Sequence, residues 1–129
     1  MSLQVSTIML GVEDLTRAKK FYAALGCEID QDTRRFVSFS LGDGSSRLAL
    51  YEWDAAAQDA GVPAQGSGFR GVSLHFNPDS REVVDETMRN AVAAGGSVVK
   101  EAAAARWGGY FGYFSDPDGY LWKVTTYAS

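Results

Sequence analysis

The sequence predicts an α+β fold of two tandem β-α-β-β-β modules, and three observations carry that prediction. The chain has 129 residues, 46% of them hydrophobic and 12% aromatic, which suits one compact domain or two small modules sharing a core and leaves too little chain for two independent domains. Each half runs strand, helix, then three strands, with glycine closing each helix. Short pieces of the halves also line up: Phe21-Tyr22-Ala23-Ala24-Leu25-Gly26 stands opposite Ala91-Val92-Ala93-Ala94-Gly95-Gly96. A duplication of this kind gives each half an apolar sheet face, and two halves can bury part of that surface and leave a groove between them.

Taken in order, residues 6–12 (STIMLGV) read as a buried strand, short and β-branched at several positions. Asp14 then caps a helix whose apolar face is Leu15, Ala18, Phe21, Tyr22 and Leu25, with Gly26 as its stop. A weak strand at 27–31 precedes two better ones, 35–41 and 47–53, which the turn Gly42-Asp43-Gly44-Ser45 joins as a hairpin. Residues 54–69 (DAAAQDAGVPAQGSGF) are small, polar and broken by Gly and Pro, so they read as a linker with one short helical turn at 55–60. The second half repeats the pattern. Residues 71–77 form a strand, Asp79 or Ser80 caps a helix that runs to about Ala94, and strands follow at 97–101, 110–115 and 120–126. Asp116-Pro117-Asp118-Gly119 is the tight turn between the last two. The expected organisation is a single domain over 1–129, with modules at about 4–53 and 70–127.

Composition excludes several functions. With 12 Lys and Arg against 16 Asp and Glu the net charge is −4, and no basic stripe exists to bind nucleic acid. No apolar run approaches the length of a membrane span, and Met1-Ser2-Leu3-Gln4-Val5 has neither the basic region nor the apolar stretch of a secretory signal. The single cysteine, Cys27, makes no intrachain disulfide and reads as a small packed side chain after the helix. A cytoplasmic protein is expected. A P-loop, a CxxC pair and a Gly-x-Ser-x-Gly elbow are all missing from the sequence.

The closing segment, Gly108-Gly109-Tyr110-Phe111-Gly112-Tyr113-Phe114-Ser115-Asp116-Pro117-Asp118-Gly119-Tyr120-Leu121-Trp122-Lys123-Val124, resembles the C-terminal motif of the glyoxalase/bleomycin-resistance/extradiol-dioxygenase superfamily, the vicinal oxygen chelate fold. The opening Leu10-Gly11-Val12-Glu13-Asp14-Leu15 and Lys20-Phe21-Tyr22-Ala23-Ala24-Leu25-Gly26 resemble the same family's first strand and helix, so the likeness spans essentially the whole chain. It implies modules that curl around a cleft for a small molecule, and frequent dimerisation. The family's metal enzymes hold a divalent ion with His, Glu or Gln on the first and last strand of each module. Those slots fall here on Thr7, on Leu50 (or Ala49 if the register differs by one), on Gly71 and on Lys123. None is a usual ligand for a divalent metal, and an ammonium repels a cation. No metal or other cofactor is therefore expected, in departure from the family's enzymes.

Candidate functional residues follow from the period of two along strands. Thr7, Met9 and Gly11 share one face, and Gly71, Ser73 and His75 share its counterpart. His75, the only histidine, reads first as a polar strand-end residue hydrogen-bonded to backbone or water, and is otherwise the candidate acid–base group. Lys123 shares a face with Leu121 and Thr125 and reads as an anchor for a carboxylate or phosphate, or as the partner of a carboxylate such as Glu52. Trp107, beside Arg106 and two glycines, can stack on a flat ligand, and Tyr51, Trp53, Tyr110 and Phe111 are further wall candidates. The ligand-binding set is thus Thr7, Met9, Leu50, Ser73, His75, Trp107 and Lys123. The leading expectation is a metal-independent binder of a small organic molecule, for which the acidic balance suits a cationic guest while Lys123 argues locally the other way. A metal-dependent lyase or dioxygenase stands as one alternative, and a metal-free enzyme using His75 and Lys123 as another.

Overall fold

The computed structural model describes residues 4–66, 68–70, 72–106 and 108–128. The chain divides into two compact units, Met1–Ser67 and Gly68–Ser129, each with its own mixed four-stranded sheet.

In the first unit, β1 (Thr7–Val12) lies parallel to β4 (Arg47–Glu52), and β3 (Phe36–Ser40) and β2 (Glu28–Asp32) extend the sheet antiparallel, in the order β1-β4-β3-β2. Register fixes the faces. Leu10, Leu50 and Val37 stand on one rung, and Ile8, Leu48 and Phe39 on another, all on the side that receives helix α1 (Leu15–Ala24). The Asp14 carboxylate accepts from the Arg17 amide at 3.0 Å to cap α1, a bond of about 1 kcal/mol. Ala18, Phe21 and Tyr22 form its buried stripe. Tyr22 meets Phe39 with ring centroids 6.1 Å apart, and Leu48 and Leu50 are fully buried. Gly26, at φ +89°, turns the chain out of the helix. Cys27 is half-buried, and burial pushes its thiol pKa up, away from the reactive thiolate.

The segment after β4 differs from expectation. Instead of one turn in a linker, an eight-residue helix α2 (Trp53–Ala60) follows the strand directly. It ends at Gly61, which is left-handed, and the Trp53 indole donates to the Ala64 carbonyl at 2.8 Å. Small residues along Asp54–Ala60 permit the helix to lie against β1. A Cβ on Gly11 would stand 3.4 Å from Trp53 Cα and 3.6 Å from Ala56 Cβ.

The second unit repeats the plan. Strand β5 (Ser73–Phe76) lies parallel to β8 (Leu121–Thr126), with β7 (Tyr110–Ser115) and β6 (Ser97–Ala104) antiparallel, in the order β5-β8-β7-β6. Helix α3 (Arg81–Ala93) is capped by Ser80, whose hydroxyl accepts from the Val83 amide at 3.2 Å. It buries Val84, Met88 and Ala91, spaced as one helical stripe. Beneath it Phe114 and Trp122 stack in parallel planes, and Tyr110 donates to the Asp85 carboxylate at 2.6 Å. The turn from β7 to β8 is built by Asp116, whose Oδ1 accepts from the amides of Asp118 and Tyr120, both at 2.9 Å. Strand β6 runs to Ala104, three residues beyond the sequence expectation, and β5 starts at Ser73.

Both sheets carry a β-bulge at the corresponding place. The β2–β3 register shifts between Ile29 and Gln31, and the β6–β7 register between Val98 and Lys100, with a second shift between Lys100 and Ala103. At the second shift the β6 backbone comes so close that a Cβ on Gly112 would meet Ala102 N and Lys100 O at 3.0 Å.

Candidate functional site

The side chains of interest lie on the sheet face opposite the packing helix in each unit. In the first unit that face reads Thr7 and Arg47 on one rung, then Met9, Ala49 and Ser38, then Gly11, Tyr51 and Phe36. Thr7 and Met9 are thus on the face expected of them, with Met9 43% exposed. Leu50 is not. It pairs with Leu10, is fully buried and faces α1, so the slot on this strand moves to Ala49, the other register. The cause is visible in the ladder: Leu48 and Leu50 are needed to fill the space under Tyr22 and Phe21. The bulge in β2 brings Asp30 toward this face, where its carboxylate accepts from Ser38 Oγ at 3.3 Å and stands 3.4 Å from Arg47 Nε.

In the second unit the same face reads Ser73, Leu121 and Ser115, then His75, Lys123, Tyr113 and Lys100, then Thr125, Phe111 and Ala103. His75 and Lys123 are register partners, so the structure brings these two candidates side by side. Ser73 Oγ lies 3.0 Å from His75 Nε2. Lys123 Nζ stands 4.8 Å from the centre of the Phe111 ring, and Lys100 Nζ stands 4.9 Å from it. An aromatic ring attracts a cation through its quadrupole, so Phe111 gathers two ammonium groups from the two neighbouring strands. Thr125, beside Phe111 in register, is 3% exposed, and its hydroxyl has no hydrogen-bond partner among the described residues.

A depression of about 320 Å³ lies where β6 ends, lined by Lys100, Ala103, Ala104, Ala105, Arg106 and Phe111. The β6–β7 connection that frames it is held by the Ala105 amide on the Gly109 carbonyl at 2.7 Å, with Gly108 at φ +100°. Three alanines in succession leave the space, and Lys100 and Arg106 supply charge at its rim.

One of the remaining candidates is displaced, and another keeps to the expected face as part of a helix. Tyr110 points to the helix side, toward Asp85 and under the Arg81 guanidinium, which sits 4.9 Å from its ring centre; it is no wall of the opposite face. Trp53 begins α2 and packs on Gly11. Gly71 and Trp107 lie outside the described residues. Lys100 has no place in the sequence-derived set, because counting by two from Ser97 puts it under α3, and only the bulge turns it over. Among the described residues no three His, Cys, Asp or Glu side chains gather as a metal cluster, and no helix is long and apolar enough to cross a membrane.

Comparison with known proteins places this architecture. The family model described as Glyoxalase/Bleomycin resistance protein/Dioxygenase superfamily matches residues 4–124. No curated protein shows significant sequence similarity to the chain. Among solved structures, a glyoxalase-related enzyme from Fulvimarina pelagi is similar at 29% identity and TM-score 0.84, covering 95% of this chain and 87% of that one. A glyoxalase/bleomycin resistance protein/dioxygenase family enzyme from Burkholderia phytofirmans PsJN shares the fold at 20% identity and TM-score 0.82, covering 94% and 96%. A lactoylglutathione lyase from Agrobacterium tumefaciens does so at 23% identity and TM-score 0.71, covering 95% and 92%. With nearly its whole length matched and the duplicated β-α-β-β-β plan in place, the chain belongs to the Glyoxalase/Bleomycin resistance protein/Dioxygenase superfamily.

Proposed function

We propose that this protein binds a small organic molecule on the helix-free face of its second sheet, without a divalent metal. The observation that carries the reading is the ladder position of Lys123. It lies beside His75 and Tyr113 and against Phe111, at the slot where the family's metal enzymes place a carboxylate. The donor set points the same way. Thr7 offers one hydroxyl, Ala49 a methyl group, Lys123 a cation, and the sequence puts glycine at position 71. These residues do not fit a divalent ion, which needs several converging oxygen, nitrogen or sulfur ligands to offset its dehydration. Ser73 and His75 form the polar part of the proposed ligand surface. A cytoplasmic setting, which a lone half-buried thiol suits, and self-association as a dimer complete the proposal.

The test combines elemental analysis with a thermal-shift panel of aromatic compounds of every charge type. Protein expressed with added zinc, nickel, iron and manganese is expected to hold far less than one metal per chain. At least one compound is expected to raise the melting temperature equally with and without EDTA. One bound metal per chain, or a shift that chelation abolishes, overturns the reading, and so does a panel with no binder.

One observation favours a second reading, a metal-free reaction. His75 contacts Ser73 and shares a rung with Lys123, which puts an acid–base group beside a cation that can hold a developing negative charge. Its check is the proton NMR spectrum of a bound carbonyl compound over time. Conversion by the native protein that His75→Gln stops, with binding kept, supports it; conversion that His75→Gln leaves at the same rate removes it.

A further inference from the structure

We infer that the depression at the end of β6 is an anion subsite, which takes the carboxylate or phosphate of a ligand whose flat apolar body lies on Phe111. The inference rests on the metal-free binding reading and names the ligand class for it. Three observations carry it.

The first is charge. Lys100 and Arg106 line the depression and no acidic side chain does, although the chain as a whole carries a net charge of −4. Neither side chain makes an ion pair among the described residues. A third cation, Lys123, reaches the same Phe111 ring from the other neighbouring strand. Gathered like charges repel, and a bound anion relieves that repulsion while a bound cation worsens it.

The second is the contrast with the first unit. Its bulge presents Asp30, which sits 3.4 Å from Arg47 and neutralises that cation. In the second unit Val99 holds the bulge position of Asp30, and Lys100 holds the register position of Gln31. An apolar residue thus replaces the acid beside this face, and a cation replaces the neighbouring amide side chain.

The third is shape. About 320 Å³ lined by three alanines and one aromatic ring is at the lower end of small-molecule sites. It suits a body of one ring rather than a large polymeric anion. Shape thereby separates this rim from a nucleic-acid surface, which needs many cations along a groove.

The experiment is a 1H–15N NMR titration of the full chain with four probes of one ring each: benzoate, phenyl phosphate, benzyl alcohol and benzylamine. Benzoate or phenyl phosphate is expected to move the amides of residues 103–106 and 111, and to bind about tenfold or more tightly than the neutral or cationic probe. The two anions tell a carboxylate ligand from a phosphate ligand by which of them binds more tightly. Lys100→Gln with Arg106→Gln is expected to weaken the anions about tenfold and leave benzyl alcohol within about twofold, since both side chains are exposed and their loss removes charge alone. The dispersion of the variant's spectrum reports folding, and Lys100→Met, which keeps the apolar stem over Phe111, serves if the double variant unfolds. Benzyl alcohol or benzylamine binding as tightly as the anions overturns the inference and leaves the binding reading standing. Equal anion affinity in native and variant protein does the same. No movement with any probe overturns it as well, and the thermal-shift panel then decides independently whether the binding reading falls too.

Discussion

The two halves of this molecule share topology, strand order and even the position of a bulge, yet the faces opposite their helices differ in chemistry. In the first unit that face is closed down. Helix α2 lies on Gly11, Ala49 and Ser38 are small and buried, and Asp30 neutralises Arg47. In the second, the same rungs carry His75, Lys123, Tyr113, Lys100 and Phe111. Duplication has kept what holds the sheet together and let the opposite face diverge. The helix side is under packing constraint in both copies, since a missing methylene there costs stability, whereas the other side is constrained only where something packs on it.

That contrast can be broken or sharpened by substitution, and the largest effect belongs to the packed side. Leu50→Ala is expected to cost about 3 kcal/mol, because a fully buried leucine leaves a cavity under α1. Its neighbour Ala49→Ser, on the other face, is expected to cost clearly less. Urea midpoints for the pair measure the difference, and equal losses would mean that the two faces are equally constrained.

Glycines come next. Gly112→Ala puts a Cβ 3.0 Å from two backbone atoms of bulged β6, which have little room to retreat, for a cost of about 2 kcal/mol. Gly11→Ala meets only ordinary contacts with α2 and is expected to change stability by about 0.5 kcal/mol or less. Thermal melts of the two variants test whether the bulge or the helix is the tighter neighbour.

Tyr110→Phe removes the bond to Asp85, for about 1 kcal/mol. It also changes the alkaline limb of stability. The hydrogen bond to Asp85, and secondarily burial, hold the Tyr110 phenol pKa above its ordinary 10.0. Because the folded value is raised, the contribution is complete below that ordinary value and is lost as pH rises through the folded one. Urea unfolding across this alkaline range should show a loss in the native protein that the phenylalanine variant lacks.

The smallest effect is expected at Lys19 and Asp32, an exposed ion pair on the first unit. Lys19→Ala should shift stability by less than about 0.5 kcal/mol, with even that difference fading in high salt.

Much of this was legible in advance. Asp14 and Ser80 as caps, the helix stripes through Phe21 and Tyr22 and through Val84 and Met88, and the duplicated order all follow from local rules, because capping bonds and amphipathic spacing are properties of a few neighbouring residues. The motif running into Asp116-Pro117-Asp118-Gly119 was legible as a turn for the same reason. So was the face shared by Thr7 and Met9, and that shared by Ser73 and His75, since strands without bulges keep a strict period of two.

The misplacements come from register and from which element folds onto which. Leu50 and Ala49 are not told apart by sequence because β4 has no internal landmark from which to start the count. Lys100 is invisible to a count of two because one extra residue in β6 reverses its face until the second shift restores the count, and no residue type marks where that happens. Trp53 and Tyr110 look like binding aromatics in isolation, and their occupation with Gly11 and Asp85 is a matter of which element folds onto which. The sequence by itself determined most of the elements and their order, which depend on short-range pattern. Only the tertiary structure decided which side chains share a face, because that depends on register, and register is set by the partner strand.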